Sequence, residues 1–494
     1  MGFKEDADFA RFVSMGAVGA AAVARHLRDN HGHAPIELER YAMANKVWQT
    51  KVKRLRLPDL LCTGCGLRVE SRAKSKLGII LSHSDTPGRE WDAGGMRDGD
   101  VYAFLHADLS TFPPYAGAPA YFTTNALRAA VGSAKRSAPK AASEGSEVML
   151  TWSSWVPARS GTFVKVDDED RIVCVWDDNT TFRYWHWRRW EGDRHVYISP
   201  GGAIVEAETI AAGVVAPATT LGCPGDVWDI RTDLTGANPT DRYAAIKAAG
   251  ATARLDLLPN LADLAADENE DWRIRLEAFA SLARLEPNVW TDSICRVALD
   301  GDATPEQHME AVFVLSEIST EDASTALAVI ATSASVAGEV RAAAAWGLGQ
   351  GPMPRPDLVL PATLDPDVFV ALHAITSIQD LPDELIPTLV GWMAESDDRR
   401  GAIAAQLLQR HRKVSALLDA TGVNAGSRLW ALRALGDLPP PLVRLQGGNQ
   451  LTPELEAILA PMWHGQTDWL RAEGQDGLEA LDVQKVRFDP MNPT

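Results

Sequence analysis

The stretch LPDLLCTGCGLRVESRAK, residues Leu57–Lys74, decides how the amino-terminal third of this 494-residue chain folds. Two runs with strand character, Arg56–Leu61 and Leu67–Lys74, flank the tight turn Cys62–Gly66. Short β-favouring runs separated by a glycine-containing turn are typical of a hairpin. The stretch therefore predicts two neighbouring antiparallel strands.

The second predicted strand separates charged residues from uncharged ones. Because side chains alternate between the two faces of a strand, Glu70, Arg72 and Lys74 are expected to share one face. Asp59 lies on the first predicted strand, and the hairpin would bring its carboxylate close to that of Glu70. Paired carboxylates can bind a divalent ion, which polarises a scissile phosphate and lowers the pKa of an attacking water. The stretch thus carries the residue types that a metal-dependent nuclease needs.

Further domains are expected along the chain, and the predicted fold class is multidomain α+β. A length of 494 residues exceeds one ordinary hydrophobic core. Segments rich in small and polar residues, Gly132–Glu147 and Leu221–Arg242, mark two breaks. The predicted parts are an α/β nuclease-like domain (1–131), a linker (132–147), a small β-barrel or sandwich (148–220), an α-solenoid (240–465) and a tail (466–494).

The carboxy-terminal half contains a spaced repeat. Small residues recur with a small or aliphatic residue four positions later, at intervals of 33, 33, 33, 30, 30 and 27 residues. The pairs are Ala245/Ala249, Ala278/Leu282, Ala311/Leu315, Ala344/Leu348, Ala374/Ile378, Ala404/Leu408 and Ala431/Leu435. This pattern resembles short HEAT-like repeats over about residues 240–440, in which pairs of helices stack into a solenoid. The resemblance implies an extended surface that binds a partner.

Pro58–Asp59 followed by Glu70–Lys74 resembles the motif of the PD-(D/E)XK restriction-endonuclease-like superfamily, over about residues 10–130. The resemblance implies that Asp59 and Glu70 bind Mg²⁺ or Mn²⁺. Members of that family often add a glutamate from the preceding helix, and Glu39 or Glu37 matches that place. The implied activity is endonucleolytic cleavage of DNA.

One position departs from the family motif, which requires a lysine where this chain has Arg72. Arginine cannot act as a base because it stays protonated in proteins. Either Lys74, on the same face, replaces the usual lysine, or Arg72 only binds phosphate and catalysis is weak or absent. The implied catalytic residues are Asp59, Glu70, Arg72 and Lys74, and the implied metal ligands are Glu39, Asp59 and Glu70.

Charge is distributed unevenly along the chain. Residues 1–140 hold 20 Lys and Arg against 14 Asp and Glu, a net charge of +6, within a total of −18. Residues 236–494 hold 20 against 37, a net charge of −17. A basic region can bind a polyanion, and an acidic one can bind a basic protein. The candidate nucleic-acid-binding residues are Lys51, Lys53, Arg54, Arg56 and Lys76.

Cysteine usage suggests a reducing compartment and raises the question of zinc. Five cysteines give no disulfide framework, and no apolar run approaches the roughly 20 residues of a membrane span, so a cytoplasmic protein without a membrane partner is expected. Cys62 and Cys65 have the spacing of a zinc knuckle, which needs two further ligands. His31, His33 and His83 are candidates for them. The alternative is a plain hairpin turn, with Cys174, Cys223 and Cys295 isolated.

The segment TFRYWHWRRW, Thr181–Trp190, interleaves aromatic residues with arginines in the predicted β-domain. Strand alternation would place Trp185 and Trp187 on one face, and Phe182, Tyr184 and His186 on the other. Aromatic and arginine side chains together can stack nucleobases. Large aromatics that fill the core of a small β-domain are the more common arrangement, and both interpretations stay open here.

Two functions from different classes follow from the sequence. The first is a metal-dependent nuclease with a HEAT-like arm that recognises a partner or substrate, for which bacterial defence against foreign DNA is one expected context. The second is a non-catalytic adaptor in which a degenerate nuclease-like domain binds nucleic acid. Arg72 favours the adaptor, and Lys74 on the same face favours the nuclease.

Overall fold

The computed structural model describes residues 6–38, 48, 50, 52, 55–75, 78–84, 86, 90–92, 94–142, 145–190, 194–206, 209–213 and 221–472. These residues form two compact units. The first contains residues 6–38 and 55–285, and the second contains residues 48, 50, 52 and 286–472. The amino-terminal part is rich in sheet and residues 230–472 are a run of helices, so the mixed α+β class is confirmed.

The first unit begins with one long helix followed by strands. In chain order these elements are α1 (Asp6–His31), β1 (Pro35–Glu37), β2 (Leu60–Cys62), β3 (Arg68–Lys74), β4 (Ile79–His83), β5 (Val101–Asp108), β6 (Tyr115–Ala116), β7 (Ala120–Thr123), α2 (Thr124–Ala129), β8 (Lys135–Arg136), β9 (Lys140–Ala142), β10 (Gly145–Trp152), β11 (Ser154–Trp155), β12 (Gly161–Val166), β13 (Ile172–Trp176), β14 (Thr181–Tyr184), β15 (His195–Val196), β16 (Ala203–Ile204) and β17 (Ala211–Ala212). Strands β8 and β9 and the start of β10 fall in the segment expected to be a linker.

The central sheet is built on the opening stretch. Its strand order is β1-β2-β3-β5-β6, and β7 also pairs with β5. Strands β2 and β3 form the predicted antiparallel hairpin, with Leu60 opposite Val69. Strand β5 runs parallel to β3 and is an almost continuous apolar run, as a strand covered on both faces requires. The hairpin therefore lies inside the sheet and not at its edge.

Helix α1 covers one face of this sheet. Val23 and Leu27 pack with Val69, and Gly19 approaches Ala73 so closely that a Cβ on it would lie 2.5 Å from the Ala73 Cβ. The residues that alternate with Glu70, Arg72 and Lys74 thus face the helix. The charged residues lie on the opposite face, which also carries the buried rings of Tyr102 and Phe104 from β5.

Smaller sheets complete the strand-rich region. Strands β4, β10 and β8 form one sheet with β9 beside β10; β14, β13, β12 and β16 form another, and β11, β17 and β15 a third. The predicted strand in Thr181–Trp190 ends at Tyr184, and His186–Arg189 form a short 3-10 helix. The physical reason is the buried Trp187, whose indole N–H donates to Asp170 at 2.9 Å and turns the chain inward.

Helices follow in both units. The first unit contains α3 (Ile230–Leu234), α4 (Pro239–Ala251), α5 (Leu258–Ala266) and α6 (Trp272–Leu285). The second contains α7 (Pro287–Leu299), α8 (Pro305–Ser316), α9 (Glu321–Thr332), α10 (Gly338–Gln350), α11 (Pro356–Val359), α12 (Val368–Ser377), α13 (Ile386–Ala394), α14 (Asp398–Arg410), α15 (Val414–Ala420), α16 (Ala425–Gly436), α17 (Pro440–Gly447) and α18 (Pro453–Ala472). Across the described ranges, none of these helices has the length and apolarity needed to cross a membrane.

The sequence repeat corresponds to every second helix. The small-residue pairs fall on α4 and α6 in the first unit, and on or beside α8, α10, α12, α14 and α16 in the second. All fourteen residues of the pairs have at most 1% of their surface exposed. Small residues next to these positions also allow close approach of helices, as where Gly349 of α10 meets Ser377 of α12. The arrangement is consistent with a solenoid.

Two helical glycines in the second unit should respond oppositely to alanine, Gly349 in the last turn of α10 and Gly391 within α13. A Cβ on Gly349 would lie 2.5 Å from the backbone oxygen of Ser377, whereas a Cβ on Gly391 of α13 has no neighbour within 4 Å. We expect Gly349→Ala to lower the free energy of unfolding by about 1–3 kcal/mol through overpacking. Gly391→Ala should raise it by about 0.5–1 kcal/mol, because alanine loses less backbone entropy than glycine. Urea unfolding followed by helical circular dichroism measures both, and equal effects would contradict the close approach.

A buried histidine should make the second unit sensitive to acid. Burial, with Arg410 and Lys413 nearby, lowers the pKa of His411 from 6.5 to about 4. Between these values the unfolded chain binds a proton that the folded chain does not, so stability should fall as pH drops from about 6.5 to about 4. His411→Gln should flatten this part of the stability–pH profile in thermal unfolding. His464→Gln, at an exposed position, is the control and should leave the slope unchanged.

Candidate metal centre

Four possible metal ligands converge in the first unit: His33, Cys62, Cys65 and Cys223. Their ligand atoms all lie within 4.8 Å of one another. His33 and Cys62 are buried, and Cys65 and Cys223 are half-buried. Among the described residues this is the one group of this kind with His and Cys ligands. It joins three separate segments of the chain.

The β2–β3 turn positions two of the sulphur atoms. The Gly66 N–H donates to the Cys62 carbonyl at 2.9 Å, and the Cys62 N–H donates to the Leu67 carbonyl at 2.8 Å. Gly66 has a φ of +72°, and a Cβ there would lie 2.8 Å from the Trp228 ring. Only glycine combines this backbone conformation with so close a neighbour. The glycine after the second cysteine is therefore required for the shape of the turn.

The end of α1 positions the histidine. Gly32 takes a φ of +68° directly after the helix, a common way to end a helix, and His33 follows it. The His33 Nε2 lies 2.6 Å from the Leu221 carbonyl oxygen. Because a carbonyl only accepts, this bond places the proton on Nε2 and leaves the lone pair on Nδ1. That Nδ1 lies 3.5 Å from the Cys65 sulphur, so the second ring nitrogen is oriented towards the cluster.

Cys223 comes from the segment that follows Leu221. Its backbone N–H donates to the His31 carbonyl at 2.8 Å, and its sulphur lies 3.9 Å from that of Cys62. The Trp228 N–H donates to the Gly64 carbonyl at 3.1 Å and attaches the same segment to the turn. In the sequence this cysteine is isolated, because it lies in another predicted part of the chain, 161 residues from Cys62. The turn-forming run Cys223-Pro224-Gly225 was the sequence feature that could have indicated a metal ligand here.

The thiols influence each other's protonation. Hydrogen bonds from the Cys65 thiol and from the Cys65 and Ala34 backbones lower the pKa of Cys62 to about 4. The neighbouring Cys62 sulphur and burial raise the pKa of Cys65. One thiolate is therefore favoured, and a second one needs a cation to offset its charge. A divalent metal supplies that charge.

The donor set allows a closed tetrahedral site. Three sulphurs and one imidazole nitrogen are the ligand types of structural zinc centres, which have four protein ligands and no open position. Magnesium prefers oxygen ligands and does not suit this group. His31 and His83 are not part of the cluster: the His31 ring lies 5.1 Å from that of His26, and His83 is on β4. Of the predicted histidine candidates, His33 alone joins the cysteines.

The predicted carboxylate site lies on the same hairpin. Asp59 is 7% exposed, and its carboxylate accepts the Ser71 N–H at 2.6 Å, so the first carboxylate does meet the second strand. The Glu70 carboxylate pairs with Arg72 at 2.6 Å. Burial, with Arg72 as the next cause, lowers the pKa of Lys74. Both carboxylates are thus engaged by donors on β3.

Several other predicted residues cannot be placed. Glu39, Lys51, Lys53, Arg54 and Lys76 lie outside the described residues. The fifth predicted nucleic-acid-binding residue, Arg56, is exposed, and its guanidinium donates to the Glu90 carbonyl at 3.4 Å. Glu37, the other candidate third carboxylate, is exposed on β1, where it lies opposite Leu60.

Comparison with known proteins does not identify the chain. No protein-family model matches it, and no curated protein matches it.

Proposed function

We propose that this chain is a zinc-binding protein in which His33, Cys62, Cys65 and Cys223 hold one structural Zn²⁺. The observation that carries the proposal is the convergence of four nitrogen and sulphur ligands within 4.8 Å of one another. The His33 tautomer supports it, since the Leu221 carbonyl orients the imidazole as second-shell partners do in metal sites.

The role of the ion would be to join distant segments. The four ligands come from the end of α1, the β2–β3 turn and the segment around Cys223. A metal that binds only the folded arrangement contributes its binding free energy to folding. Zinc would therefore stabilise the hairpin that also carries the candidate catalytic carboxylates.

Zinc content tests this proposal. Purified full-length protein should contain about one zinc per chain by mass spectrometry, as a four-ligand site holds one ion. Cys223→Ser should lose most of that zinc and lower the melting temperature by about 5 °C or more, because an interaction of a few kcal/mol is lost. Cys295→Ser, at a half-buried cysteine on α7, is the matched control and should retain zinc. Equal zinc content in the two variants would rule out the site.

A second candidate function is metal-dependent cleavage of DNA by the same hairpin. The observation that favours it is the shared face of Glu70, Arg72 and Lys74, with Asp59 hydrogen-bonded to their strand. In this proposal Asp59 and Glu70 bind Mg²⁺ or Mn²⁺, which activates a water. Lys74 receives the proton of that water, and its lowered pKa increases the fraction of the side chain in the neutral form that can accept it.

The competing proposal is a non-catalytic nucleic-acid-binding adaptor. It is favoured by the ion pair between Glu70 and Arg72 and by the hydrogen bond from Ser71 to Asp59, because these contacts occupy both carboxylates. A metal would have to displace these donors in order to bind. The adaptor keeps the basic amino-terminal region as a docking surface and needs no metal beside the zinc.

A cleavage assay distinguishes the nuclease from the adaptor. Zinc-loaded protein is incubated with supercoiled DNA, linear DNA or RNA, with Mg²⁺ or Mn²⁺ added or omitted, and without chelator, so that the zinc stays bound. The nuclease predicts cleavage that is lost in Glu70→Gln and Lys74→Met and retained in Lys165→Met, an exposed lysine on β12. Its rate should rise with pH at values below 10.5, the ordinary pKa of lysine, because only neutral Lys74 accepts a proton. Nucleic-acid binding without cleavage at any metal or pH would favour the adaptor.

The helical repeats are proposed to recognise a protein. Residues 236–494 carry a net charge of −17, which favours a basic partner. A nuclease-like domain combined with such repeats would suit bacterial defence against foreign DNA, and that context remains a proposal that depends on the cleavage activity.

A further inference from the structure

An exposed row of rings and cations runs along β14 and the 3-10 helix after it. We call it the aromatic strip; its residues are Phe182, Tyr184, Trp185, His186, Arg188 and Arg189. Phe182 is 37% exposed and Trp185 is 40% exposed. The strip lies outside the metal centre and outside the β2–β3 hairpin.

The rings of the strip stack on one another. Tyr184 lies on Trp155 of β11, with ring centroids 4.7 Å apart and an angle of 11° between the planes. Phe182 also stacks on Trp155, with ring centroids 5.9 Å apart. Farther along, Trp185 stacks on His186 at 4.0 Å, and the Arg189 guanidinium lies 4.5 Å from the Trp185 ring. The row therefore alternates flat apolar surfaces with positive charge.

The core of the small sheet accounts for only part of the strip. That core consists of buried residues from the neighbouring elements: Trp155, Phe163, Ile172, Cys174, Trp187, Ile204, Ile210 and Ala211. Tyr184 packs against this core and stacks on Trp155, which is 8% exposed. Phe182 and Trp185 are not among the core residues, and each keeps more than a third of its surface exposed.

The arginines of the strip differ from the other arginines of these sheets. Arg159, Arg171 and Arg194 each form an ion pair with an aspartate, at 3.2, 2.8 and 2.7 Å. In the part of the chain that the structure describes, neither Arg188 nor Arg189 forms an ion pair with a carboxylate. The Arg188 guanidinium donates to the Glu169 carbonyl at 3.1 Å, and its charge also acts on Asp170. Both arginines are exposed, so an anionic ligand can reach them.

We propose that the aromatic strip binds single-stranded nucleic acid. Bases stack on the exposed rings, and the arginines of the strip neutralise the phosphates. A duplex cannot use the rings in this way, because its bases are already stacked on one another and only their edges are accessible. The proposal extends the nucleic-acid role proposed above, but it requires no catalysis by Asp59 and Glu70.

Binding of labelled oligonucleotides to the full chain tests this. Fluorescence anisotropy is measured with single-stranded DNA and RNA of about 16 nucleotides and with the matching DNA duplex, over a series of salt concentrations. We expect the single strands to bind more tightly than the duplex. Phe182→Leu and Trp185→Leu should each weaken single-strand binding about tenfold. Arg188→Gln and Arg189→Gln should each reduce the slope of log affinity against log salt by about 0.7.

A matched pair on the second unit serves as control. The Arg400 guanidinium lies 5.9 Å from the Trp392 ring, so it also places a cation over an indole, but it pairs with Glu395 at 2.8 Å. Trp392→Leu and Arg400→Gln should leave single-strand binding unchanged. Unchanged binding in the strip variants, or equal affinity for duplex and single strand, would overturn the proposal.

The outcomes separate this proposal from the nuclease. Single-strand binding that is lost in the strip variants, together with no cleavage by any variant, would support the strip and count against catalysis. Cleavage that is lost in Lys74→Met, together with normal binding by the strip variants, would support catalysis and count against the strip. Circular dichroism of each variant confirms folding, which we expect to be retained because Phe182 and Trp185 are exposed.

Discussion

The buried guanidinium of Arg68 is the interaction on which the hairpin depends. Its side chain has no exposed surface, and it forms an ion pair with Asp241 of α4 and a 2.6 Å hydrogen bond with the Gly95 carbonyl. The Arg68 backbone N–H donates to Asp100, which is 3% exposed. A buried charge needs its partners at defined positions, so this network permits one register of β3. The positions of the candidate catalytic residues Glu70, Arg72 and Lys74 therefore depend on that register.

The candidate metal centre would add a second constraint to the same strand pair. Arg68 holds the start of β3, and Cys62 and Cys65 lie in the turn before it. The Trp228 ring covers Gly66 in this turn, and its indole N–H donates to Asp233 at 2.7 Å, while Asp233 also contacts Arg97. A slip by one residue would move Glu70 and Lys74 to the face that α1 covers. Arg68 and a bound ion would thus both favour the register that presents the charged face.

Patterns within a continuous stretch or a regular repeat of the sequence predicted parts of this structure. Contacts between residues far apart in the sequence could not be predicted. The β2–β3 hairpin and the alternation of its residues follow from a continuous stretch, and the buried small-residue pairs follow from a period of about 30 residues. Cys223 could not be assigned because its contact with Cys62 spans 161 residues and depends on the folded path of the chain. The end of β14 at Tyr184 depends on Asp170, which accepts a hydrogen bond from Trp187. The Ser71 N–H that engages Asp59 also appears only in the folded pairing of the strands.

The position of β14 at the edge of its sheet gives the charge of Arg183 a consequence for contacts between copies of the chain. In the part of the chain described, β14 pairs with β13 on one side and with no strand on the other. An open strand edge can pair with a strand from another molecule, and charged side chains discourage such aggregation. Arg183 lies on this edge strand, and its charge would repel the same strand of a second copy of the protein. This single charge would therefore discourage edge-to-edge pairing between neighbouring copies of the chain.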